Sequence, residues 1–122
     1  MGDFNDLLAY KKSFDLAMSI FEVTKLFLKE EMYSLTDQIR RSSRSTNICL
    51  IEAYRKRRYK AHFISKLTDS DMENSETKGW LEFAVACNYI SQAKYHELKI
   101  KSDEVGKLLN HMVNNPEKYG VI

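Results

Sequence analysis

The sequence predicts an all-α fold, an antiparallel up-down-up-down four-helix bundle. Only four glycines and one proline occur in 122 residues, whereas a β-sandwich or barrel needs turn residues at intervals of about 8–12 residues. Apolar residues recur with helical spacing in four segments that short connections join, which is typical of such a bundle. The length fits a single domain, which we expect to span residues 1–122 with a loose tail from about residue 116.

The first predicted helix covers residues 4–29 and is apolar on two sides. One arc of the helical wheel, which we expect to face the core, consists of Leu7, Phe14, Met18, Phe21 and Leu28. A second arc, on nearly the opposite side, consists of Ile20, Val23 and Phe27. A helix with two apolar faces has to bury both of them.

The second predicted helix covers residues 35–57. Ser34 is its expected cap, and Asp37 lies in the first turn, near the positive end of the helix dipole. The inward arc is Leu35, Ile39, Ser42, Thr46, Cys49, Leu50 and Ala53. Because the middle of this arc is small and polar, a neighbouring helix can approach it closely.

The third and fourth predicted helices cover residues 59–87 and 92–114. Asn88 is the expected left-handed stop of the third helix, and Ser91 is the expected cap of the fourth. The core arc of the third helix is Phe63, Leu67, Ser70, Asn74, Leu81 and Ala84. The core arc of the fourth helix is Leu98, Val105, Leu109 and Met112. Pro116 ends the helical pattern.

The apolar faces exceed what one bundle needs, which predicts a homo-oligomer. Trp80 and Phe83 lie with Cys87 and Glu76 on a second side of the third helix. We expect the interface between copies to contain Ile20, Phe27, Trp80 and Phe83. The alternative is that these residues pack against the tail or lie scattered on the surface.

Positive charge is concentrated on the second helix and the corner that follows it. The net charge is +2, but residues 40–60 carry eight basic side chains and one acidic side chain, Glu52. If the helix persists to residue 58, part of this set forms a stripe about 27 Å long. Such a stripe could follow several phosphates, and arginine suits bidentate phosphate contacts. The predicted nucleic-acid-binding residues are Arg40, Arg44, Arg55, Lys56, Arg57, Arg58 and Lys60.

Two other interpretations of these charges remain open: an acidic protein partner, or a solvated surface that complements the helix dipole. Only Tyr54 and Tyr59 interleave with the basic residues, so base stacking is not indicated. Arg41 and Glu52 lie on a third side of the second helix, where we expect paired structural residues at a contact between subunits.

Known catalytic patterns are missing from the sequence. The glycines are isolated, so no phosphate-binding loop exists, and there is no Glu-x-x-His, HExxH or zinc spacing. Glu52 and Glu76 could form an acid–base pair, but ion pairs with Arg41 or another arginine explain them more simply. We therefore expect no enzymatic activity, no cofactor and no metal.

The sequence also favours a cytoplasmic protein without a membrane partner. Charged residues interrupt the apolar stretch at residues 7–28, so it is neither a signal-peptide core nor a membrane span. Cys49 and Cys87 lie inside apolar helical patterns, and we expect buried free thiols rather than a disulfide.

Four runs resemble the bacterial 23S rRNA intervening-sequence protein family, whose members are called four helix bundle proteins. They are YSLTDQIRRSSRS at 33–45, EAYRKRRY at 52–59, ETKGWLEFA at 76–84 and CNYI at 87–90. The family centre is a serine followed by Asn-Ile-Ala-Glu-Gly, and Ser45 and Glu52 match its serine and glutamate. Cys49 stands where the family has asparagine, while Leu50, Ile51 and Ala53 replace isoleucine, alanine and glycine.

The resemblance covers about residues 5–115 and implies an antiparallel four-helix bundle, often assembled as a ring-like homopentamer. It implies that members are encoded within intervening sequences of large-subunit rRNA genes. A related branch is the accessory protein of diversity-generating retroelements, which works with a reverse transcriptase and has a basic surface. The resemblance implies no enzymatic activity.

Overall fold

The computed structural model describes residues 3–121 and contains four α-helices and, in that range, no strand. The helices are α1 (Leu8–Thr24), α2 (Leu35–Arg55), α3 (Lys60–Ala86) and α4 (Gln92–Asn114). Short 3₁₀ turns lie at Phe4–Asp6, Lys29–Glu31 and Pro116–Tyr119. The predicted four-helix bundle is confirmed.

Each helix packs against the next one in the chain, and α4 returns to α1, so the four helices form a square with one shared core. Paired residues run in opposite directions along neighbouring helices. In α2 and α3, Ser42 meets Thr77, whereas Ser70 reaches back to the carbonyl of Thr46. Between α1 and α4, Lys101 contacts Asp15 and Glu104 contacts Lys12, so later residues of α4 meet earlier residues of α1. This order is that of antiparallel helices.

Three predicted helices match the structure to within two residues at each end, but α1 is shorter than predicted. After Thr24 the backbone forms single turns, in which the N–H of Phe27 donates to the carbonyl of Thr24 at 3.1 Å. These turns bring Phe27 into the core, where its ring centroid lies 5.4 Å from that of Tyr89. Burial of this aromatic ring therefore ends the helix earlier than the apolar pattern suggested.

The predicted helix caps are confirmed at two of three positions. Ser91 accepts the N–H of Lys94 at 3.0 Å, and Asn88 has a left-handed φ of 62°. The Ser34 cap is wrong, because the carboxylate of Glu31 accepts the Leu35 N–H instead, together with the Ser34 hydroxyl.

The same carboxylate ties the α1–α2 connection to the end of α3. Tyr89 donates its hydroxyl to Glu31 at 2.7 Å. The hydrogen bonds from Ser34 and Tyr89 lower the pKa of Glu31, while the bond to Glu31 raises the pKa of Tyr89 to about 12.

The centre of the bundle is polar, as the sequence predicted, and its polar groups are paired between helices. The hydroxyls of Ser42 and Thr77 share a 2.8 Å hydrogen bond, and the Ser70 hydroxyl donates to the carbonyl of Thr46 at 2.6 Å. Asn74 and Ser102 join α3 to α4 through two bonds of 2.9 Å each. These small side chains allow the close packing of α2 on α3.

The predicted core face of α1 is wrong. The buried residues of α1 are Ala9, Ser13, Leu16, Ala17, Ile20 and Thr24. Asn47 of α2 fixes this rotation, because its amide donates to the Ser13 hydroxyl at 3.0 Å and to the carbonyl of Tyr10 at 3.2 Å. Phe14 and Met18, predicted in the core, are 50% and 44% exposed.

The same rotation overturns part of the predicted oligomer interface. Ile20 and Phe27 are 0% and 8% exposed within a single chain, so neither is available to a second copy. The residues with the largest apolar side chains on α1 point outward, and small residues with Leu16 and Ile20 fill the core.

The expected loose tail is also wrong for the residues up to 121. Pro116 and Val121 are buried, and the N–H of Val121 donates to the carbonyl of Pro116 at 3.2 Å. The Tyr119 hydroxyl lies 2.8 Å from Nδ1 of His111 on α4. Val121 thus belongs to the hydrophobic core, and the neighbouring Gly120 lies beside Arg57 of the connection between α2 and α3.

Replacing Asn74 with alanine tests the polar core. We expect the free energy of unfolding to fall by about 1–3 kcal/mol, because the Ser102 hydroxyl and carbonyl lose a buried partner. Urea unfolding followed by circular dichroism measures this. Asn110→Ala is the matched control, since it removes an exposed amide from a helix with the same gain in helix propensity. Equal stability of the two variants would contradict this role.

Candidate nucleic-acid interface

The predicted continuous basic stripe is interrupted, because α2 ends at Arg55. Lys56–Arg58 form a turn in which the N–H of Arg57 donates to the carbonyl of Tyr54 at 3.2 Å. Arg58 therefore does not continue the helical face of Arg40 and Arg44. The basic residues form two groups, one on α2 and one at the connection to α3.

The group at the connection between α2 and α3, which we call the corner cluster, consists of Arg55, Lys56, Arg58 and Lys60. All four are exposed, and no carboxylate within residues 3–121 forms an ion pair with any of them. Three of them line a depression of about 350 Å³ together with Tyr59 and His62. The result is a concentrated positive surface that is free to contact anions.

Arg57 lies in the same basic run, but its side chain is half-buried, whereas those of the corner cluster are exposed. Its guanidinium lies 4.0 Å above the ring of buried Tyr54 and donates to the carbonyl of Tyr54 at 2.9 Å. It also lies beside the tail, close enough to Gly120 that an added Cβ there would be 3.4 Å from the Arg57 Nε. The Arg57 side chain thus adds a second hydrogen bond to the Tyr54 carbonyl, beside that of its own backbone N–H, and so stabilises the end of α2.

Arg40 and Arg44 form the second group and pack on α1. Nε of Arg40 donates to Oγ1 of Thr24 at 2.8 Å, and its guanidinium lies 4.8 Å from the centre of the Phe21 ring. Arg44 lies 5.7 Å from the same ring and is exposed. Arg44 and Arg55 are separated by about 16 Å along the helix axis.

Arg41 is engaged in the structure, as the predicted ion pairing suggested. It contacts Glu73 at 3.2 Å and Glu76 at 2.7 Å, and Trp80 donates its indole N–H to the same Glu76 oxygen at 3.2 Å. Desolvation lowers the pKa of Arg41, but the charges of the two glutamates outweigh it and raise the pKa. Glu52 pairs with Lys66 at 3.5 Å and not with Arg41.

The structure also leaves apolar side chains fully or partly exposed, of which Phe14 and Met18 were expected in the core and Trp80 and Phe83 at an interface between copies. Phe14, Met18 and Ile48 line a groove of about 300 Å³ between α1 and α2, which Arg44 borders. At the other end of the bundle, Phe83 is 60% exposed beside half-buried Trp80. The two apolar arcs of α1 were the available signal, but their sequence does not say which arc faces inward.

The sequence matches a model of the family described as 23S rRNA-intervening sequence protein over residues 5–111. The chain belongs to this family. It is also similar to a crystal structure from Bacteroides thetaiotaomicron, described as a protein with unknown function from the S23 ribosomal protein family. The two share 30% sequence identity with a TM-score of 0.81, over 88% of this chain and 96% of that one. None of the curated proteins matches the sequence.

The two cysteines of this intervening-sequence family member are Cys49, in α2, and Cys87, just after α3. Cys49 is half-buried, and burial raises the pKa of its thiol. Both cysteines are free, as predicted, but Cys87 is exposed rather than buried. Its position just after α3 places it at the surface.

Two further findings concern the described part of this family member. No helix among residues 3–121 combines the length and the hydropathy that crossing a bilayer requires. In the same range, the His, Cys, Asp and Glu side chains form no group of three that could hold a metal ion.

Alanine substitution separates the structural arginine of the corner from an exposed one. We expect Arg57→Ala to lower the free energy of unfolding by about 1 kcal/mol, since it loses its contacts with Tyr54. Arg55→Ala is the matched control, with an expected change within about 0.5 kcal/mol. Thermal unfolding of both variants provides the measurement, and a larger loss in Arg55→Ala would contradict the assignment.

Proposed function

We propose that this protein is a non-enzymatic, homo-oligomeric helical bundle of the bacterial cytoplasm that binds structured RNA or DNA. The corner cluster supplies the main phosphate contacts, and Arg40 and Arg44 supply additional ones along α2. Binding is to the nucleic-acid backbone, because Lys and Arg side chains that replace condensed counterions recognise phosphate without regard to sequence.

The observation that carries this proposal is the exposure of four cations at one corner without carboxylate partners among residues 3–121. Elsewhere on the bundle, many surface lysines are paired, as Lys12 with Glu104 and Lys78 with Asp103. A surface of cations that are not paired attracts polyanions and releases their counterions on contact.

Assembly into a homo-oligomer, which we propose to be a ring-like pentamer, would repeat the corner cluster around a symmetry axis. Several weak phosphate sites on one particle then bind a long nucleic acid with a higher combined affinity than any one site provides. The groove lined by Phe14, Met18 and Ile48 supports this part of the proposal, because contiguous exposed apolar surface is typical of contacts between chains.

The second candidate function is a scaffold that docks an acidic partner protein. It is favoured by one feature, the position of Arg44 at the border of the same apolar groove. Apolar surface flanked by arginine is typical of protein interfaces. In that case the corner cluster would bind carboxylates, and affinity for nucleic acid would be weak.

Charge reversal of the corner tests nucleic-acid binding. In fluorescence anisotropy with a labelled structured RNA, we expect Arg55→Glu with Arg58→Glu to weaken binding at least about tenfold. The slope of log affinity against log salt should fall by about 2, one for each lost phosphate contact. The control is Lys29→Glu with Lys99→Glu, which changes the net charge equally at exposed sites outside the corner. Equal effects of the two double variants would show that only net charge matters.

The oligomeric state is tested by light scattering coupled to size exclusion. We expect a mass several times 14.3 kDa for the wild-type protein. Phe14→Glu with Ile48→Glu should shift the mass toward that of the single chain, because two charges would enter an apolar contact. Leu26→Glu, at a residue that is 82% exposed in the α1–α2 connection, is the control. A wild-type monomer would refute the assembly.

A further inference from the structure

Tyr59 is an exposed aromatic residue in the middle of the corner cluster. Its side chain is 60% exposed, although tyrosine rings usually cover apolar surface. The ring centroid lies 5.9 Å from that of His62, with an interplanar angle of 80°. Both rings line the depression of about 350 Å³ whose other walls are Arg55, Lys56 and Arg58. Two aromatic rings and three cations therefore share one concave surface.

The backbone holds Tyr59 in a fixed place. Its N–H donates to the carbonyl of Lys56 at 2.9 Å, and its carbonyl accepts the N–H of Phe63 at 2.9 Å. Tyr59 is thus the residue at which the turn passes into α3, with extended φ and ψ of −116° and 103°. Because the backbone is already fixed, a ligand that stacks on the ring has to order only the side chain of Tyr59.

We propose that this depression holds an unpaired nucleotide, whose base stacks on Tyr59 while its phosphates contact Arg55 and Arg58. The inference rests on the proposed nucleic-acid binding and names its substrate class: single strands, loops and bulges rather than continuous duplex. Proteins that bind single strands combine a positive groove with aromatic rings, because every base has a face that can stack. In a duplex the bases are already stacked on each other, so only the phosphates remain available.

Size and charge both fit a nucleotide. A volume of about 350 Å³ lies within the range of roughly 300–1,000 Å³ that is usual for small-molecule sites. No carboxylate lines the depression among the described residues, so the phosphate meets no like charge. The other tyrosine of the cluster, Tyr54, is buried beneath Arg57 and is not available for stacking. The sequence alone did not distinguish these two tyrosines.

A second pair of tyrosine and histidine rings provides a control. Tyr95 lies in α4, and its ring centroid is 5.4 Å from that of His96 with an interplanar angle of 61°. This pair resembles Tyr59 and His62 but lies outside the corner cluster. Removing the Tyr95 ring tests whether loss of any aromatic ring beside a histidine weakens binding.

The experiment compares two labelled RNAs of the same sequence, one single-stranded and one annealed to its complement, by fluorescence anisotropy at low salt. We expect tighter binding of the single strand by the wild-type protein. Tyr59→Ala should weaken single-strand binding about 5- to 150-fold, which corresponds to one lost base stack, and should change duplex binding less than about twofold. Tyr59→Phe should retain wild-type affinity, because phenylalanine also stacks. Tyr95→Ala should leave both affinities unchanged.

Different failures have different meanings in this design. If Tyr59→Ala binds the single strand as wild type does, while Arg55→Glu with Arg58→Glu loses it, stacking is refuted and backbone binding stands. If the wild-type protein binds neither RNA, both proposals fail together. Binding of a polyglutamate peptide in that case would assign the cations to an acidic protein partner. Far-ultraviolet circular dichroism of each variant verifies that the helices remain.

Discussion

The buried polar groups at the centre of the bundle each need a hydrogen-bond partner, and this requirement fixes how the helices are turned about their axes. Asn47 binds Ser13 and the carbonyl of Tyr10, which turns the small face of α1 inward. Ser42 and Thr77 set the contact of α2 with α3, and Asn74 and Ser102 set that of α3 with α4. An apolar core would tolerate small rotations, whereas a buried amide without its partner costs stability directly.

The rotation of α1 decides which surface the molecule offers to other molecules. With Ala9, Ser13 and Leu16 inside, the larger side chains Phe14 and Met18 lie outside, next to Ile48. The surplus apolar surface that the sequence indicated therefore exists, but on α1 and α2 rather than at Ile20 and Phe27. Arg44 borders this surface and Arg40 is held on Phe21, so these arginines lie close to any contact between chains at the groove.

The basic residues at the corner between α2 and α3 are of two kinds: Arg57 packs against the protein, whereas the others are exposed to solvent. Arg57 covers Tyr54 and lies beside Gly120 of the tail, so it supports the turn. Because Arg57 occupies the inner position, Arg55, Lys56 and Arg58 are left at the surface with Tyr59 between them. The solved relative from Bacteroides thetaiotaomicron, at 30% identity and a TM-score of 0.81, shows that this helical frame persists while most side chains differ.

The sequence by itself determined the number of helices, the ends of α4 and the core faces of α2, α3 and α4, because helical periodicity and short-range capping at Ser91 and Asn88 are local properties. It also located the basic residues and the polar layer at Ser70 and Asn74. Only the tertiary structure decided the inward face of α1 and the end of α2. The sequence of α1 allows either apolar arc to face inward, and the hydrogen bond from Asn47 to Ser13 selects the buried face. The sequence of the basic run does not distinguish its cations, and in the structure Arg57 is the one that packs on Tyr54. The inward face of α1 depends on a partner in α2, and the end of α2 depends on how the following turn folds. A local sequence pattern contains neither piece of information.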